Sequence, residues 1–331
     1  MTTVFTPMPI FNKPGELLDL LTEHGFSHEW VSSGDAKGAA AKEEAIKALI
    51  ARAPDMEYLI TNTTPLGKEF FVAAKKLKLV AMYGVGVAHI SIPDATEAGV
   101  LVTNVPGGNT RCVSELAFSF MLDLAHRVVQ MHSDMVGGSW RGRKGGEITG
   151  KTLGLIGFGN IAQDMAKLAQ AFGMRVIFAN RTPRPEDAHA LNATQLPFDQ
   201  VLAEADYLSV HIPAAPGAWR FGAEEFAKMK KGAYFINAAR GELMNLDALT
   251  DALVSGHLAG AGLDVFPKEP VDFAHPILRL PQVVLTPHAG GLSAEALVRV
   301  TVSCLEEVVR IQNKERSPNA RNHEVYASWG I

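Results

Sequence analysis

The sequence predicts an α/β protein of two domains, each built on a parallel sheet covered by helices. Three observations carry this. Strand-like and helix-like patterns alternate almost throughout. At 331 residues and 47% hydrophobic, the chain is longer than one compact core needs. A glycine turn, Gly157-Phe158-Gly159-Asn160-Ile161-Ala162, stands between an apolar run and a helical one at mid-chain.

In the first third, 57–61, 78–82 and 100–103 read as short buried strands, and 15–25, 42–53 and 67–77 show helical spacing. Thr110 then opens a long apolar helix reaching about Met135, with Leu116, Phe120, Leu124 and Val128 along one face. Gly137-Gly138 ends it. Met121, Met131 and Met135 are read as core or subunit packing. From Lys151 a second series begins, with strands at 152–156, 175–179, 207–212, 233–236, 259–265 and 283–286. Six strands match a full Rossmann sheet, doubly wound. The last helix, 294–312, crosses back onto the first domain. The expected division is therefore 1–105 with 293–331, and 106–292.

Charge and cysteine content exclude several classes. With 31 Lys+Arg against 35 Asp+Glu, the net charge of -4 argues against nucleic-acid or membrane-surface binding. Cys112 and Cys304 both have apolar neighbours, which suggests neither a disulfide framework nor a metal cluster. The first residues lack a basic region followed by a long apolar stretch, and no run reaches membrane-spanning length. A soluble cytoplasmic protein acting on small molecules is expected, and the sequons at Asn62 and Asn192 carry no weight.

The glycine turn gains force from its setting between the 152–156 strand and a helix from Asn160 to Phe172. Gly157 allows the tight turn, Gly159 admits close backbone approach of a pyrophosphate, and Asn160 and Ile161 present free N–H groups at the helix start. Ala162 replaces the third glycine. The next strand ends in Asn180-Arg181-Thr182, where an NAD enzyme would place a carboxylate on the ribose hydroxyls. Nothing there repels a 2′-phosphate, and Arg181, with Arg184, can pair with one. NADP(H) is therefore expected, with NAD(H) as the alternative if these arginines are simply solvated loop charges.

Three polar residues stand just past apolar strand-like runs downstream of this turn: Arg240, Glu269 and His288. A guanidinium at a strand's carboxyl end can grip a substrate carboxylate and polarise the adjacent ketone. Imidazole titrates in the range needed to deliver a proton to a ketone oxygen. Glu269, between Pro267 and Pro270, would favour imidazolium at His288 and fix its ring. Taken singly, each has a bland reading as an ion pair, a packed histidine or a solvated carboxylate. Jointly they suit hydride transfer to a 2-keto acid.

Asn237-Ala238-Ala239-Arg240-Gly241, the stretch from Gly260 to Pro270, and Thr286-Pro287-His288 resemble the three signatures of the D-isomer-specific 2-hydroxyacid dehydrogenases. Gly84-Val85-Gly86 and Val102 to Gly107 extend the likeness over nearly the whole chain. The resemblance implies a flavodoxin-like substrate domain, a Rossmann cofactor domain, and a homodimer paired through the 110–136 helix. It implies that the amides of Val85 and Gly86, with Arg240 and His288, hold substrate. It also implies that Thr110, His211-Ile212-Pro213, Ala238, Asp264, His288 and Gly290 border the cofactor. Ala88 and Ser91 depart from a usually acidic pattern, and Ala214-Ala215-Pro216-Gly217 replaces a more usual Leu-Thr run. Within the family, the Asn180 to Pro185 loop is similar to that of the glyoxylate and hydroxypyruvate reductases. Met82, Tyr83, Thr63 and Thr64 would border the substrate. Two other readings remain open: a nucleotide-sensing scaffold or co-repressor of the same fold, and a dehydrogenase of formate or phosphite.

Overall fold

The computed structural model describes residues 1–12, 14–32 and 39–331. The chain divides into two compact units, Met1–Asn109 with Ser293–Ile331, and Thr110–Leu292.

The first unit opens with β1 (Thr2–Thr6), α1 (Glu16–Glu23), β2 (Phe26–Trp30), α2 (Ala39–Arg52), β3 (Tyr58–Thr61), α3 (Lys68–Ala73), β4 (Leu79–Met82), α4 (Ile92–Glu97) and β5 (Leu101–Thr103). The five strands pair in parallel in the order β2-β1-β3-β4-β5, the flavodoxin-like arrangement. Successive strand residues turn to opposite faces, so Val4, Leu79 and Leu101 enter one buried cluster, while Phe5, Val80 and Val102 enter another. A sheet covered on both faces needs unbroken apolar strands, which is why β3, β4 and β5 are plain in the sequence. β1 and β2 escape the pattern. β2 is an edge strand whose polar Ser27, His28 and Glu29 are not buried.

The second unit runs through α5 (Thr110–His126), α6 (Val128–Val136), β6 (Thr152–Ile156), α7 (Asn160–Ala171), β7 (Arg175–Ala179), α8 (Pro185–Ala190), β8 (Thr194–Gln195), α9 (Phe198–Glu204), β9 (Tyr207–Val210), α10 (Ala223–Lys228), β10 (Tyr234–Asn237), α11 (Leu246–Val254), β11 (Gly260–Leu263) and β12 (Val283–Leu285). Its parallel sheet has seven strands, in the order β12-β11-β10-β9-β6-β7-β8, rather than the six expected. The additional strand is β8, whose two residues are too few to make a pattern. Strand order reverses between β6 and β9, the switch point at which open α/β sheets hold ligands.

The helix expected to run unbroken from Thr110 to about Met135 is two helices. Arg127 adopts a left-handed conformation (φ 57°) between α5 and α6, and the carboxylate of Asp123 accepts the Val129 N–H at 2.7 Å. Apolar spacing continues across the break, so periodicity does not reveal it. The chain returns to the first unit with α12 (Ala294–Gln312) and α13 (Val325–Trp329). α12 packs on β4 and α1, placing Val300, Cys304, Leu305 and Val308 in that unit's core. Among the described residues, no helix is long and apolar enough to cross a membrane and no group of side chains is placed to hold a metal ion.

Candidate active site

β10, β11 and β12 are adjacent in the sheet, and Arg240, Glu269 and His288 lie in the segments that follow their carboxyl ends. Adjacency alone does not bring the side chains together, because three turns must be shaped to do it. After β10, the fully buried Asn237 accepts the Ala239 N–H at 3.0 Å and donates to the Arg240 carbonyl at 2.9 Å, closing the turn on itself. Gly241 then presses against the next segment. A Cβ at this position would lie 2.0 Å from the Phe266 carbonyl carbon and 2.5 Å from the Pro267 nitrogen, so only glycine fits. That contact packs the Arg240 turn directly onto the Glu269 segment.

Glu269 is held by both oxygens. Oε1 accepts the Phe266 N–H at 3.0 Å, and Oε2 lies 2.8 Å from Nδ1 of His288. His288 itself has φ 55°, a strained value for a residue with a side chain, and such strain persists only where its surroundings impose it. Asp264 imposes it. Its carbonyl accepts the His288 N–H at 2.7 Å. Its buried carboxylate accepts from the Thr286 hydroxyl at 2.5 Å and from the amides of Ala289 at 2.7 Å and Gly290 at 2.9 Å. What the structure gives Asp264 is therefore a scaffold duty under the His288 turn.

The hydrogen bond to Glu269 raises the His288 pKa above the ordinary imidazole value. Burial opposes the rise, the Glu269 and Asp264 charges add to it, and the Arg240 charge works against it. Arg240 spends one donor, Nη1, on the Ala239 carbonyl at 2.6 Å, and its other donors have no hydrogen-bond partner among the described residues. His211, just past β9, is of a different kind. Burial pushes its pKa down to about 3, its Nε2 lies 2.9 Å from the Ser209 hydroxyl and 3.0 Å from the Met165 sulfur, and its buried Nδ1 has no partner among the described residues. Burial disfavours the charged form of His211, whereas the raised pKa of His288 favours it, so of the two His288 suits proton delivery.

The turn after β6 is tight on one side and open on the other. Gly157 takes φ 91°, and a Cβ there would stand 2.7 Å from both the His211 carbonyl oxygen and the Ile212 side chain, so glycine lets β6 and β9 close up at the switch point. A Cβ on Gly159 would meet nothing within 4 Å, leaving open space at the start of α7, where Asn160 and Ile161 offer unpaired N–H groups. Asp164 on α7 accepts from the Ser114 hydroxyl at 2.5 Å and pairs with Arg111 at 3.2 Å, fixing the amino end of α5, where Thr110 lies, against α7. After β7, Asn180, Arg181, Thr182 and Arg184 line a cavity of about 210 Å³ with Ile212, Pro213, Ala218 and Trp219.

A family profile described as D-isomer specific 2-hydroxyacid dehydrogenase, NAD binding domain, matches residues 118–290. The chain belongs to the D-isomer specific 2-hydroxyacid dehydrogenase family. A glyoxylate reductase of Korarchaeum cryptofilum is 35% identical over 84% of this chain and 86% of its own length. A hydroxypyruvate reductase of Thermotoga maritima is 37% identical over 81% of this chain and 88% of its own. A crystal structure of a protein from Thermus thermophilus superposes with a TM-score of 0.85 at 34% identity, covering 97% of this chain and all of that one. The enzyme is thus an NAD(P)-dependent 2-hydroxyacid dehydrogenase.

In this dehydrogenase the loop after β4 is pinned through its carbonyls. The Gly84 carbonyl accepts the Val105 N–H at 2.8 Å and the Val85 carbonyl accepts from the Asn104 amide at 2.6 Å. Trans peptides oppose their C=O and N–H groups, so pinning both carbonyls to one segment turns the amides of Val85 and Gly86 together to the other side. Tyr83 steadies the loop's root, its hydroxyl 2.7 Å from the Leu297 carbonyl and 2.9 Å from the Thr301 hydroxyl, and burial raises its pKa. Of the other residues expected at the cofactor, Ala238 is 9% exposed, Ile212 is half-buried, Pro213 is exposed, and the Gly290 amide is taken by Asp264. Reading the sequence missed Asn237, Gly241 and Asp264 as shapers of the turns. Their signal was there, since a polar residue closing an apolar strand must find partners.

Proposed function

We propose that this dehydrogenase reduces small 2-keto acids, of the glyoxylate and hydroxypyruvate class, with NADPH. The bound nicotinamide would supply the hydride. The protein's part is to hold and protonate the substrate. Arg240 grips the carboxylate and polarises the ketone with its free donors. His288, whose Nδ1 is engaged by Glu269, delivers a proton to the ketone oxygen from Nε2. Glu269 keeps the ring oriented and charged until transfer. The observation that carries this reading is the 2.8 Å contact between Glu269 and His288 at strand ends neighbouring that of Arg240.

The cofactor choice rests on the loop after β7. No carboxylate stands there to take the ribose hydroxyls, and among the described residues Arg181 has no ion-pair partner, whereas Arg184 is paired with Asp187 at 3.3 Å. The relatives named glyoxylate and hydroxypyruvate reductases support the substrate class. A matrix of NADPH and NADH against glyoxylate, hydroxypyruvate, pyruvate, phenylpyruvate and branched 2-keto acids tests both halves. Highest kcat/KM is expected for NADPH with the two smallest hydrophilic acids. A clear preference for NADH would overturn the cofactor choice, and a preference for bulky acids the substrate class. The same reading includes a homodimer formed through α5 and α6.

A further inference from the structure

Gln195 makes two bonds that the cofactor reading leaves unexplained. β8 is a two-residue strand at the edge of the sheet, yet its Gln195 spans the whole loop that follows β7. Nε2 donates to the Asn180 carbonyl at 3.0 Å and Oε1 accepts the Arg184 N–H at 3.0 Å. One side chain thereby ties the first and last residues of the loop. Within the loop, Asn180 donates to the Thr182 carbonyl at 2.8 Å and accepts the Phe158 N–H of the glycine turn at 3.3 Å. What remains uncommitted is the Arg181 guanidinium and the Thr182 hydroxyl, which have no hydrogen-bond partner among the described residues. Both line the 210 Å³ cavity. Trp219 also lines it, held flat on Phe198 with ring centres 4.8 Å apart and planes 11° from parallel.

We infer that Gln195 is the positioning residue for cofactor selection: by bridging both ends of the Asn180–Arg184 loop it presets Arg181 and Thr182 for the 2′-phosphate of a phosphorylated adenosine. The inference rests on the reading of this loop as a 2′-phosphate site. A loop ordered in advance loses little entropy on binding, so the benefit falls on the ligand that uses the loop. A ligand lacking the 2′-phosphate does not touch those groups and gains nothing from the order.

The test is calorimetry on the full-length enzyme with 2′,5′-ADP and 5′-AMP, together with steady-state kinetics in both cofactors. Gln195→Leu keeps the volume and removes both bonds at an unburied site. It should weaken 2′,5′-ADP by about five- to tenfold, the worth of one to two hydrogen bonds, and leave 5′-AMP unchanged. KM for NADPH should rise by the same factor at unchanged kcat, while KM for NADH stays put. Gln195→Glu, which keeps the acceptor but sets a carboxylate beside the site, should reject 2′,5′-ADP more strongly than the leucine variant. If Gln195→Leu weakens both nucleotides alike, or neither, Gln195 is only structural and the inference fails. If the unaltered enzyme already binds both nucleotides equally, the failure belongs to the underlying cofactor reading.

Discussion

At the scale of single residues, the chemistry depends on one proton. In the proposed mechanism reduction uses protonated His288, whose pKa Glu269 raises, so activity should persist further into the alkaline range than an isolated imidazole near 6.5 would allow. Glu269→Gln removes the largest cause of the rise, and the alkaline limb of the kcat/KM profile should move to lower pH. An unmoved limb would sink the relay. The sign for stability is the same. A raised folded pKa gives a contribution fully present below the ordinary imidazole value and lost as pH climbs through the raised one, but both partners are partly exposed, which keeps that contribution small. The effect is therefore to be sought in rates rather than in melting curves. His288→Ala and Arg240→Ala each delete a group assigned to the transition state and should cost about 3 kcal/mol or more in kcat/KM, with nicotinamide-cofactor affinity largely kept. Retention of near-normal rates in either variant would remove it from the mechanism.

At the scale of elements, the turns do the placing, and Gly241 tests them. With backbone atoms 2.0 to 2.5 Å from its would-be Cβ, Gly241→Ala must drive the Arg240 turn away from the Phe266–Pro267 segment. Overpacking of this kind costs about 1–3 kcal/mol, seen as a melting temperature lowered by several degrees. kcat should fall as well, because Arg240 and Glu269 would no longer share a fixed spacing. A lowered melting temperature with unchanged kcat would show that the contact is structural only. The same elements show what the sequence could and could not tell. β6 and β7 were legible to the residue because strands buried on both faces leave unbroken apolar runs. β2 and β8 were not, one being a half-exposed edge and the other two residues long. The break at Arg127 was invisible because a single left-handed residue leaves the apolar spacing on either side in register. Residue types at strand ends suggested Arg240, Glu269 and His288, but not the φ of 55° at His288, which depends on Asp264 reaching from another strand.

For the whole molecule, the buried clusters divide cleanly. Two draw only on Thr110–Leu292, and two only on Met1–Asn109 with Ser293–Ile331. A unit with its own core can fold alone, and every residue assigned to the cofactor, from Thr110 to Gly290, belongs to the second. The excised segment 110–292 should therefore bind NADPH about as tightly as the full chain by calorimetry. That segment also decides the dimer. α6 and the stretch after it leave Val128, Val129, Met135 and Val136 exposed, and Trp140 is 92% exposed, an apolar face that a chain in water does better to cover. If a second copy covers it, both the full chain and segment 110–292 should elute at twice their monomer mass in light scattering, and Val136→Asp should shift both to monomers while calorimetric binding of NADPH survives. A full chain that runs as a 35.6 kDa monomer at micromolar concentration would leave that face to some other purpose and remove the dimer from the proposal.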